Sequence, residues 1–309
     1  MPESGEQLKG YIAGFESYFN DQLLFRDTFI GLQKKIKLAF GLSPTANVIA
    51  GEGRWLFNNF DDVFGNYQRR HAHSEQEIRA WAQYITERKG WLASRGIAYY
   101  FMPVPDKHAI YKQYLPEKDR LRIEQNNIHI LLKTLASGES VNSIVDIYPD
   151  MLKQKNGFEL PLYTPGDTHW NILGAAVATD ALVRKMKARF PALDYSLPGD
   201  TDYFVEQDGL GGELVAIVGG GKSYKTPAAL LKNYATCVGK DKALYTVNSY
   251  GLNSTGRLVK DAPHVLQCNG ASGLKVLVFR DSFWDKLAYT LAPLFYETYV
   301  IKMEGEVFF

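Results

Sequence analysis

Apolar side chains recur at helical spacing from about Gln7 to Phe40, through Leu8, Tyr11, Phe15, Tyr18, Leu23 and Ile30, with a break near Asn20-Asp21. This periodicity predicts two helices. Val48 to Ala50 reads as a short strand, and the glycines of Gly51-Glu52-Gly53, ahead of Arg54-Trp55-Leu56-Phe57, predict a tight turn. A further helix is expected from Ser74 to about Ser94, with Glu77 three residues after Ser74 as in a capping box.

The period then changes. Ile97 to Val104 is a β-branched and aromatic run ended by Pro105 and reads as a buried strand. Glu117 to Leu135 is again helical, Ser143 to Tyr148 again strand-like, and Trp170 to Arg189 helical with Ile172, Ala176 and Leu182 on one face. Near the end, Lys275 to Phe279 predicts a strand, Phe283 to about Leu294 a helix, and Thr298 to Met303 another strand. Such alternation predicts βαβ units: an α/β fold with a central, mainly parallel sheet flanked by helices. From about residue 197 to 269 glycines become frequent and apolar runs shorten, as at Ala243 to Tyr250, so an irregular or antiparallel insertion is expected there. No repeat or linker divides the chain, and residues 1–309 read as a single domain.

Composition is that of an ordinary globular protein, with 46% apolar and 22% charged residues and a formal net charge of +1. No basic face is concentrated enough to track a phosphate backbone, so no nucleic acid is expected. The 19 tyrosines suit stacking on sugar rings as well as core packing. Cys237 and Cys268 lack zinc-site spacing and either pair in an oxidising compartment or remain buried thiols. No apolar run reaches the roughly 18 residues that cross a bilayer, and Met1-Pro2-Glu3-Ser4 lacks the features of a signal peptide. Taken literally, this start predicts a cytosolic chain.

Two segments carry chemistry. In Lys275-Val276-Leu277-Val278-Phe279-Arg280-Asp281-Ser282, a strand enters a helix through Asp-Ser, which presents Ser282 at the carboxyl end of a sheet beside helix-start amides able to hold an oxyanion. The alternative is that Asp281 or Ser282 only caps the helix. In Thr164-Pro165-Gly166-Asp167-Thr168-His169-Trp170-Asn171, His169 sits near a helix start, where the dipole favours the neutral imidazole, and Asp167 is placed to hold its tautomer. Here the alternative is an Asp167 N-cap beside a packed or exposed His169. Together the segments offer a nucleophile, a base and a carboxylate, and serine needs that base.

The chain resembles the SGNH-hydrolase-like domains of alginate O-acetyltransferases and related exopolysaccharide acetylation proteins. The likeness lies in Val48 to Phe57, in Val104-Pro105-Asp106-Lys107 with Tyr111 and Tyr114-Leu115-Pro116, and in Asp146-Ile147-Tyr148-Pro149. It continues in Tyr163, Asp167-Thr168-His169-Trp170-Asn171 with Gly174, Gly212-Glu213-Leu214 and Arg280-Asp281-Ser282-Phe283. The resemblance implies a circularly permuted SGNH fold, with Asp167 and His169 ahead of the nucleophile Ser282. It also implies an acetyl-serine intermediate without a cofactor, a polysaccharide acceptor, and an acetyl donor delivered through a membrane-bound acyltransferase. The implied location is periplasmic or extracellular, with membrane anchoring through a segment outside this sequence as one form of it. An acetyl esterase using the same triad and a catalytically silent polysaccharide-binding or assembly protein are the rival readings.

Other residues are open to two readings. Lys107 either orients an acidic sugar or caps a turn, and Arg280 either meets a sugar carboxylate or supports the sheet end. Trp170 and Tyr163 are candidate substrate-binding or supporting residues. His71 and His73 suit a solvated loop better than a metal site. Gly219-Gly220-Gly221-Lys222-Ser223 lacks the leading glycine of a phosphate loop and reads as a turn.

Overall fold

The computed structural model describes residues 26–68, 70, 72–120, 127–138, 141–206, 212–219, 228–231, 237–239, 264–268 and 272–302. Its first half contains α1 (Arg26–Ala39), β1 (Val48–Ala50), β2 (Leu56–Asn58), α2 (Glu75–Ala93), α3 (Lys107–Ile110), α4 (Asn127–Ala136), α5 (Tyr148–Gln154) and α6 (Ile172–Met186). Its second half contains β3 (Tyr203–Glu206), α7 (Glu213–Ile217), β4 (Ala228–Leu231), β5 (Cys237–Gly239), β6 (His264–Cys268), β7 (Lys275–Arg280), α8 (Trp284–Leu291) and β8 (Glu297–Lys302), with a few short helical turns between. Predictions for residues 1–25, Ala243 to Tyr250, His71 and residues 220–223 lie outside the described residues.

The capping box at Ser74 forms: Ser74 Oγ accepts from the Glu77 amide while the Glu77 carboxylate accepts from the Ser74 amide, supplying two bonds that the helix itself lacks. From that start α2 turns Ile78, Ala82 and Ile85 onto Leu131, Leu132 and Leu135 of α4. Helix α6 is buried along almost its whole length, and its alanines allow close approach on several sides. Asn171 caps it, its side-chain oxygen accepting from the amides of Leu173 and Gly174. Gly174 is required there, because a Cβ would lie 2.6 Å from the Leu162 carbonyl oxygen.

The principal sheet has the order β5-β6-β8-β7. β7 and β8 run parallel, joined by α8 as the expected βαβ unit, whereas β6 is antiparallel to both β8 and β5. The expectation of a mainly parallel sheet therefore needs correction among the described residues. Two predicted strands are the reason. Ile97 to Val104 forms only a single parallel bridge, Phe101 to Ile144, because Pro103 and Pro105 have no amide hydrogen to extend a ladder. Ser143 to Tyr148 is cut short because the Asp146 carboxylate accepts from the Tyr148 amide and Pro149 occupies the first turn of α5. β1 with β2 and β3 with β4 make two small antiparallel pairs. Cys237 and Cys268 face each other in the β5–β6 register and are joined by a disulfide.

Candidate active site

The Asp-Thr-His loop leaves Tyr163 and returns at Trp170, two buried residues that bridge each other, with the Asn171 amide donating to the Leu162 carbonyl just beyond. Lys107 fills the loop from within. Its ammonium donates to the carbonyls of Thr164 at 3.2 Å and Pro165 at 3.1 Å, and also to that of Asp167. Only 2% of Lys107 is exposed, its Nζ lies over the faces of Trp55 and Phe57, and burial pulls its pKa down to about 7. Three donors matched by three carbonyls account for an ammonium in the core. The Pro165 carbonyl also accepts from the Leu56 amide, which fastens the loop to β2.

From the other side α7 closes on the same loop. The amides of Leu214 and Val215 donate to the Gly166 carbonyl, and the Glu213 amide donates to Asp167 Oδ2 at 3.2 Å. Gly212 makes this approach possible. Its φ is +92°, and a Cβ there would sit 2.5 Å from the Gly166 oxygen and 2.7 Å from the Asp167 Cβ. Lys34 of α1 in turn donates to the Ile217 carbonyl at the end of α7.

The serine segment arrives 113 residues later in the chain. Asp281 Oδ1 accepts from the Phe283 amide, shaping the turn between β7 and α8. Trp170 Nε1 donates to the Phe283 carbonyl at 3.0 Å, and the Phe283 ring meets His169, Trp170 and Tyr163 edge to face. These contacts bring His169 Nε2 to 2.7 Å from Ser282 Oγ, while Nδ1 lies 2.9 Å from Asp167 Oδ1. Asp167 Oδ1 also accepts from the His169 amide. With Nδ1–H donating to the carboxylate, Nε2 is left to accept the serine proton. Neither local capping alternative is realised: Ser282 faces His169, and Asn171 rather than Asp167 caps α6.

Burial would raise the Asp167 pKa, but hydrogen bonds and the His169 charge outweigh it and hold the carboxyl at about 2. Burial would lower the His169 pKa. Its hydrogen bond with Asp167 and the negative charges of Asp167, Glu213 and Asp285 prevail and keep it above the ordinary value. The imidazole is therefore more basic than the helix dipole alone suggests.

The lesser candidates support the site from inside. Tyr163 is fully buried with its hydroxyl donating to the Pro105 carbonyl, and Trp170 is 1% exposed. Arg280 is 6% exposed and donates to the Asp281 carbonyl and to Asp285. All four are buried, and their polar ends meet backbone carbonyls, with Arg280 also meeting Asp285. His73 pairs with Glu77 and packs on Trp81 rather than gathering ligands. Glu213, with Oε1 3.8 Å from His169 Nδ1, is the site residue that residue-by-residue reading passed over. In the sequence only the family likeness marks it, through Gly212-Glu213-Leu214. Asp167, His169 and Glu213 offer ligand atoms within 4.8 Å of one another, with Nδ1 hydrogen-bonded to Asp167 and the Glu213 carboxylate 3.8 Å from it.

A family profile described as the SGNH hydrolase-like domain of the acetyltransferase AlgX matches residues 48–249, which takes in Asp167, His169 and Glu213 and stops short of Ser282. No curated protein matches the sequence. Among solved structures the chain is similar to PatB1 of Bacillus cereus, at 15% identity and a TM-score of 0.52, over 82% of this chain and 87% of that one. A DHHW family protein from Eubacterium siraeum is 19% identical with a TM-score of 0.49, over 72% of this chain and 75% of that one. The O-acetyltransferase domain of AlgJ from Pseudomonas putida is 18% identical with a TM-score of 0.44, over 84% of this chain and 81% of that one. The PatB1 likeness extends the shared fold across most of both chains, and with the profile match covering well over half of its length, the chain belongs to the family of SGNH hydrolase-like acetyltransferase domains of the AlgX type.

Proposed function

We propose that the chain is a serine-dependent O-acetyltransferase acting on an extracellular polysaccharide, with Ser282 as nucleophile, His169 as general base and Asp167 as its orienting carboxylate. The observation that carries this reading is the continuous relay from Ser282 Oγ through both His169 nitrogens to Asp167. His169 Nε2 takes the Ser282 proton as Oγ bonds to the acetyl carbon, and, with the Phe283 amide taken by Asp281, the Ser282 amide is left to hold the oxyanion. Collapse breaks the bond to the donor's leaving group, which departs with the proton from His169. A sugar hydroxyl then gives its proton to His169 and attacks the acetyl-serine. The ester bond to Oγ breaks and Ser282 recovers the proton.

The order of the site residues, with His169 ahead of Ser282, fits a permuted SGNH chain, and we take residues 1–309 as one such domain. The Cys237–Cys268 disulfide supports an oxidising, periplasmic or extracellular setting. There an acetyl group would have to be carried across the membrane, so a membrane-bound acyltransferase is the donor partner this reading requires.

Treatment with an activated acetyl ester should add one acetyl group at Ser282, mapped by mass spectrometry and absent from Ser282→Ala. Acetyl turnover that survives in that variant sinks the serine mechanism. One observation favours hydrolysis instead: Ser282 is exposed, so water reaches an acetyl-enzyme readily. Adding oligosaccharide separates the two, because acetylated sugar marks transfer and acetate alone marks an esterase.

A further inference from the structure

Helix α1 carries its apolar residues on the side away from the protein. Leu38 packs toward the buried cluster of Val48, Leu56 and Leu214, and Lys34 donates to the Ile217 carbonyl, so these two positions mark the side that meets the body. At about 100° of turn per residue, Phe29, Leu32 and Ile36 fall on the opposite side, together with Phe40 at the helix end. Their exposures of 61%, 52%, 50% and 78% are those of side chains outside any core. The end of this stripe is fixed, because the amides of Gly41 and Leu42 donate to the carbonyls of Leu38 and Lys37 in a Schellman cap. Cations border it. Lys35 lies on one flank and Arg26 and Lys37 on the other, with Arg26 and Lys35 exposed and Lys37 half-buried. Four cations against one acid, Asp27, make the helix basic.

An apolar stripe with cations along both borders suits a helix lying in a membrane interface, its apolar face among the acyl chains and its lysine stems reaching back to lipid phosphates. Pairing with a second copy would set the flanks cation against cation. We propose that α1 docks the protein on an anionic phospholipid surface, with Phe29, Leu32, Ile36 and Phe40 inserted and Arg26, Lys35 and Lys37 at the headgroups. Lys34 ties α1 to the end of α7, whose start bonds to the Asp-Thr-His loop, so docking brings that loop toward the membrane.

Docking does not depend on acyl transfer, and its test reads no chemistry. The full chain is floated with vesicles of phosphatidylglycerol and phosphatidylcholine in equal parts, and with vesicles of phosphatidylcholine alone. At low salt the anionic vesicles should carry at least about tenfold more protein per lipid, and the excess should shrink as salt screens the headgroups. Ile36→Ser with Phe40→Ser should remove most of the binding, and Lys35→Gln with Lys37→Gln should erase the preference for anionic lipid. Both pairs should keep the wild-type melting temperature, since the exchanged side chains lie outside the core. A full chain that floats with neither vesicle, or binding indifferent to either pair of exchanges, overturns the proposal. The stripe would then be covered by residues 1–25 or by a second copy, the latter seen as a dimer that Ile36→Ser with Phe40→Ser separates.

Discussion

Trp170 Nε1 donates to the carbonyl of Phe283 at 3.0 Å, joining the residue after His169 to the residue after Ser282. One buried indole thus sets the distance between base and nucleophile, which the β7–α8 turn alone would leave free. Trp170→Phe keeps most of the ring contact and deletes the donor. It should cost about 1 kcal/mol in urea unfolding and slow Ser282 acylation by roughly tenfold. Acylation at the wild-type rate would show that the bond does not position the serine.

The His169 pKa is raised, so the acylation rate should climb with pH through that value, as the imidazole loses its proton and becomes able to accept one from Ser282. Asp167, held at about 2, stays charged across this whole range. Removing one anion with Glu213→Gln should move the rising limb to lower pH, and NMR titration of the His169 ring should follow it. An unmoved limb and an unmoved ring would mean that Glu213 does not act on the imidazole.

Lys107→Met leaves three carbonyls without their shared donor in a buried loop. The expected loss is about 2–4 kcal/mol of stability, read from denaturant midpoints, with acylation falling further than stability because Asp167 hangs from the same loop. Full activity in a destabilised Lys107→Met variant would confine the lysine to a folding role.

Gly212→Ala places a methyl group where the Gly166 oxygen and the Asp167 Cβ already lie, at a φ that side chains resist. About 1–3 kcal/mol of destabilisation is expected, together with weaker anchoring of Asp167 as the Glu213 amide is pushed away. Wild-type melting and kinetics would show that α7 shifts aside without cost.

Local chemistry was the most readable part of the fold. The Ser74 box, the Asn171-headed helix and the β7–α8–β8 unit follow from residues within a few positions of one another. The strand expected at Ile97 to Val104 failed on a detail equally local, since Pro103 inside the run counts for more than the apolar residues around it. Glu213 could not be found this way. Its importance arises from a contact with Asp167, 46 residues earlier in the chain, and no periodicity marks such a meeting. The inward turn of Arg280 and Lys107 was hidden for the same reason: a charged residue next to a catalytic one looks alike in sequence whether it faces the ligand or the core.

Among the described strands β7 lies at one edge of its sheet, and Ser282 follows two residues after its last residue, Arg280. On the proposed acyl-transfer reading, that edge position would let a long glycan lie sideways over the serine and be touched at any internal unit, without being threaded by its terminus. Acetyl groups placed from such a flank should be scattered along the polymer, and a digest of the product should find them far from either end.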